Sequence, residues 1–262
     1  MKLSFSQPIA ALALTLACAH QTAFADVPTG DDSNNTSNWS IALGGGMYAA
    51  LNPYIGASDD QETGVLPWFS VSNDWVSIDP TEIALTAYAS ERISLEALVA
   101  PRWQVIDPAD VAGLDGMERS TGVDIGARIS AQRGSFVAAI AYKTDVSNNS
   151  EGDEVDASVG VQFELSPRLN LGIEGGVYWR DQALSNYLYG VSASESHSDR
   201  PAYDVGSTTI PYIGLQMTYF LTEQLSAVFA VQGESFDKKI TDSPIIDREL
   251  SAASFIALLY TF

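Results

Sequence analysis

The feature that most constrains this chain is a side-chain alternation of period two that runs unbroken through segments long for strands. Over 154–165, Val155, Ala157, Val159, Val161, Phe163 and Leu165 fall on one face, and Asp156, Ser158, Gly160, Gln162 and Glu164 on the other. After Pro167-Arg168 the pattern returns, with Leu169, Leu171, Ile173, Val177 and Trp179 opposing Asn170, Gly172, Glu174, Tyr178 and Arg180. It recurs over 122–131, where Val123, Ile125, Ala127 and Ile129 oppose Asp124, Arg128 and Ser130, and again over 212–221. Soluble strands average about five or six residues. A tilted strand that crosses a bilayer needs about 9–11. In hydrocarbon such a sheet must close on itself, because an open edge leaves backbone groups unpaired.

The links between these runs sort into two kinds. Tight turns fall at Asn73-Asp74, Ser90-Glu91, Arg133-Gly134, Ser166-Pro167-Arg168 and Thr222-Glu223-Gln224. Longer polar loops fall at 50–64, 105–118, 146–153, 182–207 and 238–248, with a brief connection at Asp79-Pro80-Thr81. The expectation is an all-β, antiparallel transmembrane β-barrel of about twelve strands: 39–49, 65–72, 75–79, 82–89, 92–104, 119–132, 134–145, 154–165, 169–180, 208–221, 225–236 and 250–262. A count of ten is the alternative, since the third and fourth strands are weak. An even count puts short turns in the periplasm and long loops outside, the whole surrounded by outer-membrane lipid and lipopolysaccharide.

The N-terminus fits export to that membrane. Lys2 precedes an apolar stretch over 8–19, and Ala23-Phe24-Ala25 offers a small-x-small cleavage pattern. We read 1–25 as a signal peptide cut between Ala25 and Asp26, 26–38 as a polar periplasmic linker and 39–262 as the barrel. Lipidation of Cys18 is the weaker alternative, because Thr15 stands where an aliphatic residue is wanted. Cleavage removes Cys18, so the mature chain has no cysteine and no disulfide to hold it. With 13 Lys+Arg against 33 Asp+Glu, the chain carries a charge of −20 and would repel nucleic acid.

With lipid outside, polar residues face inward. That set holds Glu96, Arg102, Asp124, Arg128, Lys143, Asp156, Glu164, Glu174, Arg180, Gln216, Gln232 and Glu234. Asp124, Arg128, Glu164, Glu174 and Arg180 form the candidate lumen cluster. Mixed signs favour a paired, filled lumen over a solute conduit, since a barrel this narrow leaves little free cross-section. No catalytic constellation stands out. Loss of His20 leaves His197 beside Glu195 and Asp199, which reads as a solvated loop histidine. The acidic loop Asp145–Asp156 lacks the spacing of a calcium loop, and no cofactor or metal is expected.

The last strand, Ile256-Ala257-Leu258-Leu259-Tyr260-Thr261-Phe262, alternates and ends on an aromatic. It resembles the C-terminal signature by which outer-membrane barrels are recognised for assembly. Two loop segments go further. Tyr189-Gly190-Val191-Ser192, Pro201-Ala202-Tyr203 and Asp242-Ser243-Pro244-Ile245, with LPWFS at 66–70, resemble the MipA/OmpV family of MltA-interacting scaffold proteins. The resemblance implies an outer-membrane barrel without catalytic residues, and a member that scaffolds a lytic transglycosylase with a penicillin-binding protein. A small-solute pore remains the alternative. The 182–207 loop, with Tyr189 and Tyr203, is expected to fold over the mouth against Pro244 and Ile245.

Overall fold

The computed structural model describes residues 39–103 and 106–262. The expected signal peptide, its cleavage between Ala25 and Asp26, and the 26–38 linker lie outside the described residues. Twelve antiparallel strands close a barrel within them: β1 (Ser40–Leu51), β2 (Gln61–Ser72), β3 (Val76–Ile78), β4 (Ile83–Ala89), β5 (Ile93–Arg102), β6 (Gly122–Arg133), β7 (Phe136–Asp145), β8 (Asp153–Ser166), β9 (Leu169–Arg180), β10 (Thr208–Phe220), β11 (Leu225–Ser235) and β12 (Leu250–Thr261). Each pairs with its neighbours in sequence, and β1 closes the ring on β12 from Ala42↔Thr261 to Ala50↔Ala253. The ten-strand alternative is therefore excluded.

Alternation sets the two faces. Val65, Ile140, Val159, Ile213 and Ile256 point outward and are exposed, as a lipid contact requires, whereas Asp124, Ala139, Gly160 and Ala257 are buried inside. Trp75, Tyr88, Phe136, Phe163, Tyr219, Tyr260 and Phe262 ring the short-turn end, with Tyr142 and Trp179 towards the loops. Aromatic rings favour both interfaces, having an apolar body and a polar edge. Two glycines make room for inward tyrosines. A Cβ on Gly64 would lie 2.6 Å from the Tyr48 ring, and one on Gly176 would lie 2.5 Å from that of Tyr212.

Strand ends differ from the sequence expectation where apolar patterning stops. β2 begins at Gln61 rather than at 65, because Gln61–Gly64 pair with Tyr48–Leu51 above the apolar band, where no apolar face is needed. β6 begins at Gly122 rather than at 119, since Arg119 is drawn into the loops. β3 has three residues and pairs with β2 only at Val71↔Ile78 and Ser72↔Ser77. The wall is lowest here, and Trp103 donates its indole N–H to Pro80 O at 3.1 Å across the dip.

Candidate functional site

The lumen has two unlike walls. Along β1, β2 and β12, and on β11 as far as Ala230, it is apolar: Tyr48, Leu66, Ala230, Phe255 and Ala257 are buried together, and the Trp68 ring packs on Phe255 at 5.3 Å. From β4 round to β10 it is charged. Arg128 on β6 donates to Glu82 and to Glu96, each at 2.7 Å. Higher up, Arg102 meets Asp124 at 2.6 Å and Arg180 donates to Glu154 at 2.8 Å. The Tyr212 hydroxyl lies 2.9 Å from Asp156 and 3.0 Å from Glu174, and its ring stacks on Tyr178 at 4.4 Å. Such pairs add little net stability over apolar packing, but removing one partner of a buried pair costs about 3–5 kcal/mol. The charged wall thus locks its side chains across the bore.

The structure places the predicted cluster residues in more than one group. Arg128 pairs from mid-strand with Glu82 and Glu96, and Glu174, also mid-strand, meets the Tyr212 hydroxyl, whereas Asp124 and Arg180 stand near the loop ends of their strands with Arg102 and Glu154. Glu164 joins none of these. It is exposed at the short-turn end of β8, ten residues from Glu154 and so roughly 33 Å along the strand. A carboxylate at a wet rim needs no partner.

Above the lumen the long loops build a roof with its own apolar core. Helix α1 (Gln182–Tyr189) starts where the Asp181 side chain accepts from Leu184 N–H at 2.9 Å, a capping bond typical of Asp. This turns Leu184, Leu188 and Tyr189 inward against Ile240 of helix α2 (Lys238–Thr241) and against Ile245 and Ile246. Tyr54 and Met117 enter from two other loops, and Met117, Leu184, Ile240 and Ile245 are fully buried. Full burial of such side chains stabilises by about 1.5–3 kcal/mol each. Polar bonds fasten the loops to one another. Ser243 Oγ donates to Tyr189 O at 2.6 Å, Ile55 N–H to Ile245 O at 2.9 Å, and Tyr203 OH to Lys239 O at 2.9 Å. Arg200 donates to Gly113 O and Asp115 O.

Of the residues expected to form the lid, Tyr189 and Ile245 lie inside the roof core. Tyr203 packs against its edge, and Pro244 is half-buried in the turn before Ile245. Burial pushes the Tyr54 and Tyr189 phenols up, so both stay neutral. Burial also pushes Glu195 up, but hydrogen bonds from Arg119 and Ser192 outweigh this and hold it below the ordinary glutamate range. Arg119 Nη1 meets Glu195 at 2.5 Å. His197 is exposed in a hairpin turn with Arg200, where its Nδ1 accepts weakly from Asp199 N–H. In the acidic loop, the Asp145 carboxylate accepts from the N–H groups of Ser147, Ser150 and Glu151, which commits it to holding the turn.

Several roof and lumen residues carried no signal in one sequence. Glu82 sits in a turn and meets Arg128 only across the closed barrel, and Arg119 sits in a loop and meets Glu195 only where the roof loops come together. Tyr212 follows the inward alternation of β10 and lies opposite Gly176, which is the one mark that could have found it. The Asp181 cap ahead of Leu184 marks α1.

Residues 43–262, which hold all of the barrel but the first three residues of β1 and include both loop segments, match the family described as MltA-interacting protein MipA. The chain belongs to this family. It is similar to YiaT of Escherichia coli K12, named as an outer membrane protein, at 27% identity over 217 residues, covering 80% of this chain and 86% of that one. It is similar to the MltA-interacting protein of the same strain at 25% over 119 residues, 42% of this chain and 48% of that one. Among solved structures, the translocator domain of the autotransporter NalP from Neisseria meningitidis superposes with a TM-score of 0.45 at 11% identity, covering 88% of this chain and 90% of that one. As a member of this family, the protein is an outer-membrane barrel.

Proposed function

We propose that this barrel is a non-catalytic interaction protein rather than a pore, and that it holds a lytic transglycosylase, and with it a penicillin-binding protein, at the outer membrane. The observation that carries this reading is the double closure: a bore filled by ion pairs and packed aromatics, under a roof with an apolar core of its own. A conduit would gain nothing from either. The partner class comes from the related MltA-interacting protein. On the periplasmic side the barrel offers short turns carrying Arg92, Arg133 and Arg168 beside Asp74, Glu91 and Glu223, and the 26–38 segment can extend that surface.

Retention on the immobilised barrel tests the partner. Purified full-length mature protein in detergent should retain a purified lytic transglycosylase of the MltA type, and an unrelated twelve-stranded barrel should not. Equal retention on both would overturn the scaffold reading.

A further inference from the structure

Between roof and lumen pairs, the described residues line a partly open cavity of about 200 Å³. Leu188 and Tyr189 of α1 cover it, and small apolar residues (Ala50, Ala100, Ala252 and Ala253) line part of its side. Three cations reach it: Arg102, Lys143 and Arg180. Two are committed, Arg102 to Asp124 at 2.6 Å and Arg180 to Glu154 at 2.8 Å and to the Tyr189 hydroxyl at 2.7 Å.

Lys143 is different. It lies on the inner face of β7, is 9% exposed, and among the described residues has no hydrogen bond and no ion pair within 4 Å. Asp124, Glu154 and Asp156 act on it through space, but each is bonded elsewhere, Asp156 to the Tyr212 hydroxyl. The Lys143 stem is buried, but the ammonium faces the cavity, and among the described residues no protein acceptor takes any of its three donors. Glu234 on β11 is its counterpart. Its carboxylate accepts from Gln232 Nε2 at 3.2 Å and has no cation within 4 Å among the described residues; Arg180 acts on it through space but is bonded to Glu154 and Tyr189.

We propose that this cavity binds a small zwitterion, an ω-amino carboxylate, with its carboxylate on the Lys143 ammonium and its ammonium on the Glu234 carboxylate. The lining supplies three cations and, in Asp124, Glu154 and Glu234, three carboxylates, so a ligand of zero net charge keeps the balance. A simple anion would leave Glu234 unmatched, and a simple cation would leave Lys143. β7 and β11 are four strands apart around the ring, so the two charges belong at opposite ends of a chain, with methylenes against the alanines. A cavity of about 150 Å³ accepts benzene, so this one takes about eight non-hydrogen atoms. The site goes beyond the interaction reading and stands whether or not a transglycosylase binds.

Calorimetric titration of the full mature barrel in detergent tests it. Probes are glycine, γ-aminobutyrate, δ-aminovalerate and ε-aminocaproate, with pentanoate and pentylamine as single-charge controls. Affinity should peak among the three longer amino acids and fall about tenfold or more for each control. Lys143→Met and Glu234→Gln, checked for folding by heat-modifiable gel mobility, should each lower affinity for the best probe by a similar factor. Absence of binding by every zwitterion, or controls that bind as well as the matched amino acid, would overturn the proposal on the wild-type protein alone. Binding left intact in both variants would also overturn it. Retention of the transglycosylase is a separate readout, and its failure leaves this one unchanged.

Discussion

Arg180 Nη1 donates to the Tyr189 hydroxyl over 2.7 Å, and that bond joins the lumen to its roof. The same guanidinium donates through Nε to Glu154, so one side chain ties β8, β9 and α1 together.

Tyr189→Phe should therefore loosen the roof without unfolding the barrel. The variant keeps the ring on Phe236 at 5.6 Å and loses the charged hydrogen bond, a loss of about 1.5–3 kcal/mol. Hydrogen exchange over 182–206 should quicken while the strands stay protected. Unchanged exchange there would mean that the roof is held by its apolar core and its other loop bonds without this one.

Val159 faces lipid and its neighbour Gly160 faces the lumen. Val159→Arg should cost about 2–4 kcal/mol on urea unfolding from vesicles, as a charge near the midplane does, whereas Val159→Leu should be neutral. An arginine tolerated as well as leucine would place this position in the lumen, because a one-residue slip inverts a strand's faces.

Acid should release the loop hairpin around Glu195. Its folded pKa lies below the ordinary glutamate value, so the stabilisation is present above that value and is lost as pH falls through the lowered one. Protease cleavage over 192–200 should rise only below the usual carboxylate range. Glu195→Gln should cleave readily at neutral pH and show no further rise on acidification.

Phe262 is exposed at the short-turn rim, where its N–H donates to Ile41 O at 2.9 Å and its ring meets Tyr260 at 5.0 Å. Deleting it removes little packing. Outer-membrane levels in cells should fall, while the purified protein still refolds in detergent. Equal cellular levels would show that assembly does not read this residue.

The barrel was legible because a membrane forces one face of every strand to be apolar, so Val159, Ile173 and Ile213 announce their register locally. β3 was legible only faintly, since three residues carry little periodicity. The lumen was legible as a set of inward charges but not as pairs: Arg128 meets Glu82 and Arg102 meets Asp124 through ring closure and strand register, which no single strand records. Glu164 shares the alternation of Asp156 yet lies at the wet rim, because alternation gives the face and not the depth. In the roof, the tyrosines marked a folded loop. The α1 helix and the reach of Arg119 to Glu195, from residues far apart in sequence, depended on contacts between separate loops.

The central claim is that this outer-membrane barrel is closed, and single-channel recording of the intact mature protein in a planar bilayer tests it most directly. The filled bore and the roof predict a flat trace, without steady steps at either polarity. Steady ohmic steps from the intact barrel would contradict the claim and put transport in place of interaction.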